Sequence, residues 1–289
     1  MTGSPVLPAE WGWRDLVARS LAEDLGAGDV TSALVIPASQ EGCATIEARQ
    51  SLRVCGLGVA KAVFAAVDPA LHFHEEVRDG ADVEAGTRLA TLAGSLRAIL
   101  AGERSALNFL GRMCGIASLT QRYVARVKGT GVDIVDTRKT LPGWRVLDKY
   151  AVAVGGGINH RMGLFDGILL KDNHVAAAGG VLQAVKSACA AAPAHLRVQV
   201  EVESLEQAVA AVDAGADFLL LDNRSPAELR VIAEHLRGRA ILEASGGITL
   251  ENLQEIAATG VHRVSIGALT HSAPNSDLAL ELLPGGVAG

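Results

Sequence analysis

Positively charged side chains gather behind one short apolar run near the middle of the chain. The run VDIVDT has the length and the β-branched content of a buried strand, and Arg138 and Lys139 follow it directly. Arginine offers a planar fork that pairs with a carboxylate through two hydrogen bonds, whereas lysine offers a mobile point charge for phosphate. His160, Arg161 and Lys171 stand near the glycine-rich AVGGGINHR or at the end of the next run. This set predicts a ligand that carries several negative charges.

Not every cation of this region is assigned to that ligand. Arg145 and Lys149 lie in the intervening stretch WRVLDKY, away from any strand end. We interpret these two as ordinary surface charges.

Two acidic residues end later strand-like runs. In RVQVEVES the valines share one face, so Glu201 and its polar neighbours Gln199 and Glu203 point to the other, interior face. Asp222 ends the next run, ADFLLLDN. An inward carboxylate needs a cation, and two converging carboxylates favour Mg²⁺ in its usual partnership with substrate phosphates. The alternative is a buried ion pair between Glu201 and a lysine such as Lys171, which needs no metal.

The last two strand-like runs, EASGGIT and RVSIGALTH, end in small and polar residues. Backbone N–H groups at such ends often bind phosphate in barrels, together with the start of the following helix. A plain tight turn explains each glycine pair as well, but the same chemistry at two successive strand ends favours phosphate. Thr249 is expected to cap the helix that LENLQEI begins. The candidates at these ends are Ser245, Gly246, Gly247, Gly267 and His271.

Alternating strand and helix patterns must position these residues. After Gly129 six strand-like runs appear, and amphipathic stretches such as LEQAVAAVDAG and PAELRVIAEHL separate the later ones. The runs are VDIVDT, DGILLKDN, RVQVEVES, ADFLLLDN, AILEASGG and RVSIGAL. This order implies parallel strands joined by right-handed crossovers. It predicts an open or incomplete (β/α) barrel, whose function sits at the carboxyl ends of the strands.

The pattern before this region is different. WRDLVARSLAEDL predicts a first helix that ends at Gly26, and short alternating runs between about Gly42 and Gly94 predict a β-rich region with helical elements. The stretch ILAGERSALNFLGRMCGIASLTQRYVARV predicts one or two packed helices that bridge two domains. We therefore expect an N-terminal α/β sandwich domain over residues 1–115 and a barrel domain over 116–271, with the tail 272–289 packing on the first domain.

Composition excludes several classes of protein. A chain of 289 residues with 49 % hydrophobic residues can bury a sizeable core. A net charge of −6 and 3 % aromatic residues argue against a nucleic-acid partner. No run approaches a membrane span, no secretion signal is visible, and the four scattered cysteines form no CxxC pair. We expect a cytoplasmic protein without a membrane partner.

Several of these motifs, taken together, resemble the quinolinate phosphoribosyltransferase family. They are LAEDLGAGDVTS, TRKTLPGWRVLDKYAV, GGGINHRMGLFDGILLKDNH, SGGIT and SIGALTHS, which span nearly the whole chain in order. The resemblance implies an α/β N-terminal domain, an open (β/α) barrel and at least a homodimer. It also implies transfer of phosphoribosyl from phosphoribosyl pyrophosphate to quinolinate, with Mg²⁺ as cofactor. The products would be nicotinate mononucleotide, pyrophosphate and CO₂, for NAD biosynthesis.

The resemblance also assigns roles to residues. It places the dicarboxylate site at Arg138, Lys139, His160, Arg161 and Lys171, and takes Arg104 of GERSALNF to reach the neighbouring subunit's site. Thr137, at the end of the run VDIVDT, is a further candidate for substrate binding. The resemblance implies that Glu201 and Asp222 lie near ribose and metal, and that Lys139, Lys171, Glu201 and Asp222 are the catalytic residues. The phosphate-binding ends it implies are Ser245, Gly246, Gly247, Gly267, Ala268 and His271.

Three other functions remain open from the sequence. A Schiff-base aldolase would use Lys171 at a strand end, but it explains neither the cations nor the paired acids. A related phosphoribosyltransferase acting on another base would keep the phosphate and metal residues and change only the cations. A noncatalytic sensor of phosphate ligands built on the same barrel is the third.

Overall fold

The computed structural model describes residues 5–283, which divide into two compact units. The first unit comprises the chain up to Gln121, Thr140–Gly156 and the chain from Thr270, and the second comprises Arg122–Lys139 and Gly157–Leu269. The predicted boundary between residues 115 and 116 falls within a long helix and stays a prediction.

The first unit contains a four-stranded antiparallel sheet. Its strands are β1 (Glu41–Ala48), β3 (His72–Glu75), β5 (Arg88–Ser95) and β12 (Leu278–Leu282), in the order β12-β1-β5-β3. A two-stranded sheet pairs β2 (Leu52–Arg53) with β4 (Asp82–Val83). The buried face of β1 carries Ala44, Ile46 and Ala48, which are fully inaccessible to solvent. Alternate apolar residues of the strands thus form the core of this unit.

The first unit also contains several helices. A short 3-10 helix (Glu10–Gly12) precedes α1 (Arg14–Leu25), α2 (Val30–Val35), α3 (Leu57–Val67) and α4 (Leu96–Arg126), and α5 (Arg145–Val154) also belongs to the first unit. The first helix ends at Gly26, which has a positive φ (50°), as predicted. The bridging stretch forms one continuous helix, α4, rather than two. Among the described residues, no helix combines the length and apolarity that a bilayer span requires.

The second unit is built on a six-stranded parallel sheet. Its strands are β6 (Asp133–Val135), β7 (Ile168–Leu170), β8 (Val198–Val202), β9 (Phe218–Asp222), β10 (Ile241–Ser245) and β11 (Arg263–Ser265), in the order β6-β11-β10-β9-β8-β7. All six predicted strands are present. Within residues 5–283 β6 and β7 do not pair with each other, so the barrel is open, as predicted. Ile158 makes an isolated parallel bridge to Val135 on the free side of β6.

Helices follow the strands of this sheet from β7 onward. They are α6 (Asp172–Ala177), α7 (Val181–Ala191), α8 (Leu205–Asp213), α9 (Pro226–His235), α10 (Leu253–Ala257) and α11 (Ala268–His271). Ser204 and Ser225 cap α8 and α9, because each side chain accepts a backbone N–H of the first turn. In α9 the carboxylate of Glu228 also accepts the backbone N–H of Ser225 at 2.8 Å, which completes a capping box. These caps start two helices immediately after the strands that carry Glu201 and Asp222.

Candidate functional site

The parallel sheet gathers the ends of its strands along one edge. Asp222 of β9 pairs in register with Ser245 of β10, and Ser245 pairs with Ser265 of β11. On the other side Leu170 of β7 pairs with Val200 of β8. Because all neighbouring strands run in the same direction, the polar residues that follow them emerge on the same side of the sheet.

A buried aspartate organises the end of β6. Asp136 is fully inaccessible, and its carboxylate accepts the backbone N–H of His160 at 2.8 Å and the side-chain amide of Asn159 at 2.7 Å. The neighbouring bridge at Ile158 holds the same segment to the strand through backbone hydrogen bonds. Asp136 thus places His160 and Arg161 beside the residues that follow β6. We did not assign Asp136 to the site from the sequence, although it directly precedes the cations.

The fold brings Arg138 close enough to affect Arg161. The pKa of Arg161 is lowered, first because the guanidinium is partly buried and next because Arg138 adds a like charge, while Asp166 opposes the shift. Arg161 Nη1 also donates to the carbonyl oxygen of Gly167 at 3.0 Å. Two guanidinium groups that repel each other beside a partly buried surface are the electrostatic signature of an anion site.

The turn after β6 is organised by a threonine. Thr137 is half-buried, and its hydroxyl accepts the backbone N–H of Lys139 at 3.0 Å, which fixes a tight turn. The side chains of Arg138 and Lys139 are exposed on this turn.

The imidazole of His160 takes part in a row of hydrogen bonds. Its Nδ1 accepts the backbone N–H of Arg161 at 2.7 Å, and its Nε2 lies 2.9 Å from Oε1 of Gln199. Gln199 in turn donates from Nε2 to Oε2 of Glu243 at 3.0 Å. Gln199 lies on the interior face of β8, as the strand alternation predicts.

Glu201 lies between a lysine and a second carboxylate. Burial raises the pKa of the Glu201 carboxyl, the cation of Lys171 opposes the shift, and Asp222 adds to it. Asp172 and Glu203 raise the pKa of Glu201 further. From the sequence, Glu201 could either pair with Lys171 or lie near the carboxylate of Asp222. In the fold, both the Lys171 cation and the Asp222 carboxylate affect Glu201.

The loop after β10 requires glycine at two successive positions. Gly246 and Gly247 have φ values of 91° and 60°, which L side chains rarely adopt. A Cβ atom at position 246 would also lie 2.6 Å from Cγ of Asn223. Asn223 itself has φ 53°, and its amide donates to Oδ2 of Asp222 at 2.8 Å. The glycines therefore allow this loop to pack closely against the end of β9.

The helix after this loop begins later than predicted. Its first residue is Leu253, Asn252 occupies the N-cap position, and the side chain of Thr249 does not cap it. The Thr249 side chain instead bonds to Glu251 and lowers the pKa of that carboxyl. The side chain of Asn252 closes the turn, because it accepts from Thr249 N at 2.8 Å and donates to Gly247 O at 2.9 Å. The capping prediction for Thr249 was wrong because three turn residues precede the helix.

The end of β11 leads through Gly267 into the short helix α11, which starts at Ala268. His271 ends this helix, is exposed and lies 2.6 Å (Nδ1 to Oγ) from Ser272. Gly267 and Ala268 belong to the second unit, whereas His271 belongs to the first.

Three cations named from the sequence lie in the first unit. Arg104 is exposed on α4, with its guanidinium 3.8 Å from Glu103. Arg145 is half-buried and donates to Thr140 Oγ1 at 3.0 Å. Lys149 has 1 % of its surface exposed. The interpretation of Lys149 as a surface charge was therefore wrong, because α5 is buried on nearly every side from Leu147 onward.

Within residues 5–283 no group of three or more His, Cys, Asp or Glu side chains could hold a metal ion. Glu201 and Asp222 form only a pair of acids, so the protein would provide two carboxylates and leave other positions of a hard cation to further oxygen ligands.

Comparisons with family models match the chain along most of its length. The model described as quinolinate phosphoribosyl transferase, N-terminal domain, matches residues 29–114, and the model of the C-terminal domain matches residues 116–281. Together the two models cover both the N-terminal α/β region and the barrel region that the sequence patterns predict.

Individual relatives are similar over nearly their whole length. The nicotinate-nucleotide pyrophosphorylase [carboxylating] of Mycobacterium leprae is 42 % identical, over 93 % of this chain and 96 % of the relative. A probable enzyme of the same name from Bacillus subtilis is 40 % identical, over 93 % of each chain. The structure of the nicotinate-nucleotide pyrophosphorylase from Francisella tularensis superposes with a TM-score of 0.92 at 36 % identity, covering 98 % of this chain and all of the other.

Proposed function

This chain belongs to the quinolinate phosphoribosyltransferase family, and we infer from that membership and from the site how it carries out its reaction. It transfers phosphoribosyl from phosphoribosyl pyrophosphate to quinolinate with decarboxylation, giving nicotinate mononucleotide, pyrophosphate and CO₂ for NAD biosynthesis. It is a nicotinate-nucleotide pyrophosphorylase (carboxylating), and the resemblance drawn from the motifs is confirmed.

Quinolinate occupies the cationic half of the site in our proposal. The observation that carries it is the placement of Arg161, whose pKa is lowered first by burial and next by the like charge of Arg138, since a dianionic ligand would offset both effects. Each close contact between opposite charges is worth about 4 kcal/mol at an effective dielectric of about 20, before desolvation is subtracted. Thr137, Lys139, His160 and Lys171 complete this proposed dicarboxylate site.

The phosphoribosyl donor occupies the acidic and glycine-rich half. Glu201 and Asp222 suit Mg²⁺ or ribose hydroxyls, because burial and then the neighbouring carboxylate of Asp222 raise the pKa of Glu201, and a cation there would offset both effects. Mg²⁺ bound by these residues would neutralise charge on the pyrophosphate leaving group. The backbone N–H groups of Ser245, Gly246 and Gly247, with those of Gly267 and Ala268, would bind phosphate.

Positioning and electrostatics supply the chemistry. The ring nitrogen of quinolinate forms a bond to the anomeric carbon as the bond to pyrophosphate breaks, through an oxocarbenium-like state. Lys139 and Lys171 stabilise the negative charge that leaves. The C2–carboxylate bond then breaks, CO₂ departs, and the electron pair left beside the cationic ring nitrogen takes up a proton from water. No covalent nucleophile is required in this sequence.

A homodimer completes the site in our proposal, with Arg104 reaching the neighbouring subunit. The exposed apolar side chains of Val30, Leu34 and Val35 on α2 support it, because burying them against another chain would be favourable. The proposed cytoplasmic location rests on the four unpaired cysteines.

Release of pyrophosphate tests the proposal directly. The protein is mixed with phosphoribosyl pyrophosphate and Mg²⁺, and either quinolinate or nicotinate is added. We expect release of pyrophosphate and CO₂ with quinolinate and neither with nicotinate. Turnover of nicotinate instead of quinolinate would indicate a phosphoribosyltransferase for another base. No release of pyrophosphate with either compound would favour a noncatalytic ligand sensor.

A further inference from the structure

A row of polar side chains runs through the interior of the barrel and ends at His160. Gln199 and Glu243 are 4 % and 1 % exposed, and neither was assigned a role in the reaction. Glu243 of β10 pairs in register with Arg263 of β11, and Arg263 Nε lies 2.6 Å from Glu243 Oε2. Buried polar groups of this kind are costly unless each has a partner, so the row is a candidate for a specific task.

Each link of this row fixes the direction of the next. The carboxylate of Glu243 can only accept, so the Gln199 amide must turn its Nε2 toward it. The Oε1 atom of Gln199 therefore faces His160, and the ring nitrogen Nε2 at 2.9 Å must carry the proton. The other ring nitrogen, Nδ1, must carry no proton, because it accepts the backbone N–H of Arg161. Both ends of the imidazole thus select one neutral tautomer.

Arg263 stands at the far end of the row. Its contact with Glu243 is an ion pair rather than an aligned hydrogen bond, because Nε makes no hydrogen bond among the described residues. Its guanidinium also lies over the ring of Phe218, 4.4 Å from the centroid. Removal of Arg263 would leave the buried carboxylate of Glu243 without this ionic partner, so Glu243 would no longer be held in place to fix the direction of the Gln199 amide.

We propose that Gln199, Glu243 and Arg263 are positioning residues that hold His160 in the Nε2–H tautomer and thereby fix the backbone at Arg161. If the amide of Gln199 flipped, the proton would move to Nδ1, and two donors would face each other where 2.7 Å now separates Nδ1 from Arg161 N. The ring or the Arg161 backbone must then move. Because His160 and Arg161 belong to the proposed dicarboxylate site, the consequence for quinolinate binding rests on the proposed function, whereas the tautomer does not.

The tautomer can be measured without substrate. The full chain is labelled with ¹⁵N-histidine, and two-bond correlations to the ring protons identify which nitrogen carries hydrogen; His160→Asn assigns the signal. We expect a single Nε2–H form in the wild type. Gln199→Leu and Arg263→Met should introduce the Nδ1–H form or motion between the two forms. Arg263→Lys, which keeps the cation, should retain the wild-type signal.

Matched controls remove the same groups from exposed helical positions. They are Gln183→Leu, Glu234→Gln and Arg230→Met, which should leave the His160 signal unchanged. Glu243→Gln keeps the shape of the side chain but can donate as well as accept, so it allows either direction of the Gln199 amide. This variant keeps the test decisive if Arg263→Met does not fold.

Kinetics provide the second readout. In Gln199→Leu and Glu243→Gln we expect KM for quinolinate to rise about five- to tenfold, the equivalent of one hydrogen bond, with KM for phosphoribosyl pyrophosphate unchanged. A wild-type Nδ1–H signal, or an unchanged tautomer in both Gln199→Leu and Glu243→Gln, would overturn the proposal. The expected tautomer shift in a protein that does not turn over quinolinate would support the positioning role and refute the proposed function instead.

Discussion

Replacing Gly246 by alanine should cost markedly more stability than the same change at Gly247. Both residues have left-handed φ values, so each substitution pays the strain of an L residue there, about 1–2 kcal/mol. Only at position 246 does the new Cβ meet other atoms, 2.6 Å from Cγ and 3.0 Å from the backbone nitrogen of Asn223. At position 247 nothing lies within 4 Å.

Asn223 cannot move away without a cost. Its backbone nitrogen is held by Ser245 O at 2.8 Å, so the side chain must rotate and give up its 2.8 Å hydrogen bond to Asp222. Overpacking costs about 1–3 kcal/mol and a lost hydrogen bond about 0.5–1.5 kcal/mol. We therefore expect Gly246→Ala to be about 2–4 kcal/mol less stable than Gly247→Ala.

Urea unfolding of the two variants without ligands measures this difference. The thermal midpoint should fall with it, by about 2–4 °C for each kcal/mol in a domain of this size. Equal losses in the two variants would refute the reasoning, because they would mean that conformational strain alone requires the glycines and that the approach to Asn223 does not matter.

The remaining predictions concern the charged groups. Arg138→Lys removes the fork geometry and keeps the charge, so we expect KM for quinolinate to rise about tenfold in steady-state kinetics; an unchanged KM and an unchanged turnover would mean that the fork contact does not exist. The pKa of the Glu201 carboxyl is higher in the folded protein than in the unfolded chain, so the protonated group favours the folded state. This stabilisation is complete at pH values below the pKa of the unfolded chain and is lost as the pH rises through the pKa of the folded protein. Glu201→Gln should therefore stabilise the ligand-free protein at pH 7, by less than about 1 kcal/mol because the side chain is half-exposed, and should not stabilise it at pH 3. Urea unfolding at both pH values measures this effect. A less stable variant at pH 7 would contradict the predicted direction. Arg104→Ala should weaken quinolinate binding in a folded protein. Mixtures of Arg104→Ala with Lys171→Ala should regain activity if the site is shared between subunits, and no recovery in verified mixed dimers would count against that sharing.

The strands of the barrel could be predicted because their signal is local. Runs rich in valine, isoleucine and leucine ended at polar residues, and the fold has a strand at each of the six runs. Alternation within β8 also predicted correctly that Gln199 faces the interior, since side chains of a strand alternate between its faces. These features need only the period of the backbone and the burial of one face.

The partners of buried polar groups could not be predicted in the same way. Asp136 reaches across to Asn159 and His160, and Glu243 meets Arg263 through the register of two strands. No local pattern specifies which residue faces which across a sheet. Lys149 illustrates the same limit, because a lysine within an amphipathic helix is usually exposed and only the packing of α5 buries it.

The last described strand has a consequence for biosynthesis. β12, residues Leu278–Leu282, forms the edge beside β1, with Ala44 opposite Leu282 and Ala48 opposite Leu278. The antiparallel sheet that contains β1 therefore stays incomplete until residues 278–282 have left the ribosome, by which point every strand of the parallel sheet is available. Until then β1 presents unpaired peptide groups to other nascent chains. A premature stop before Leu278 would make that exposure permanent and favour aggregation over assembly.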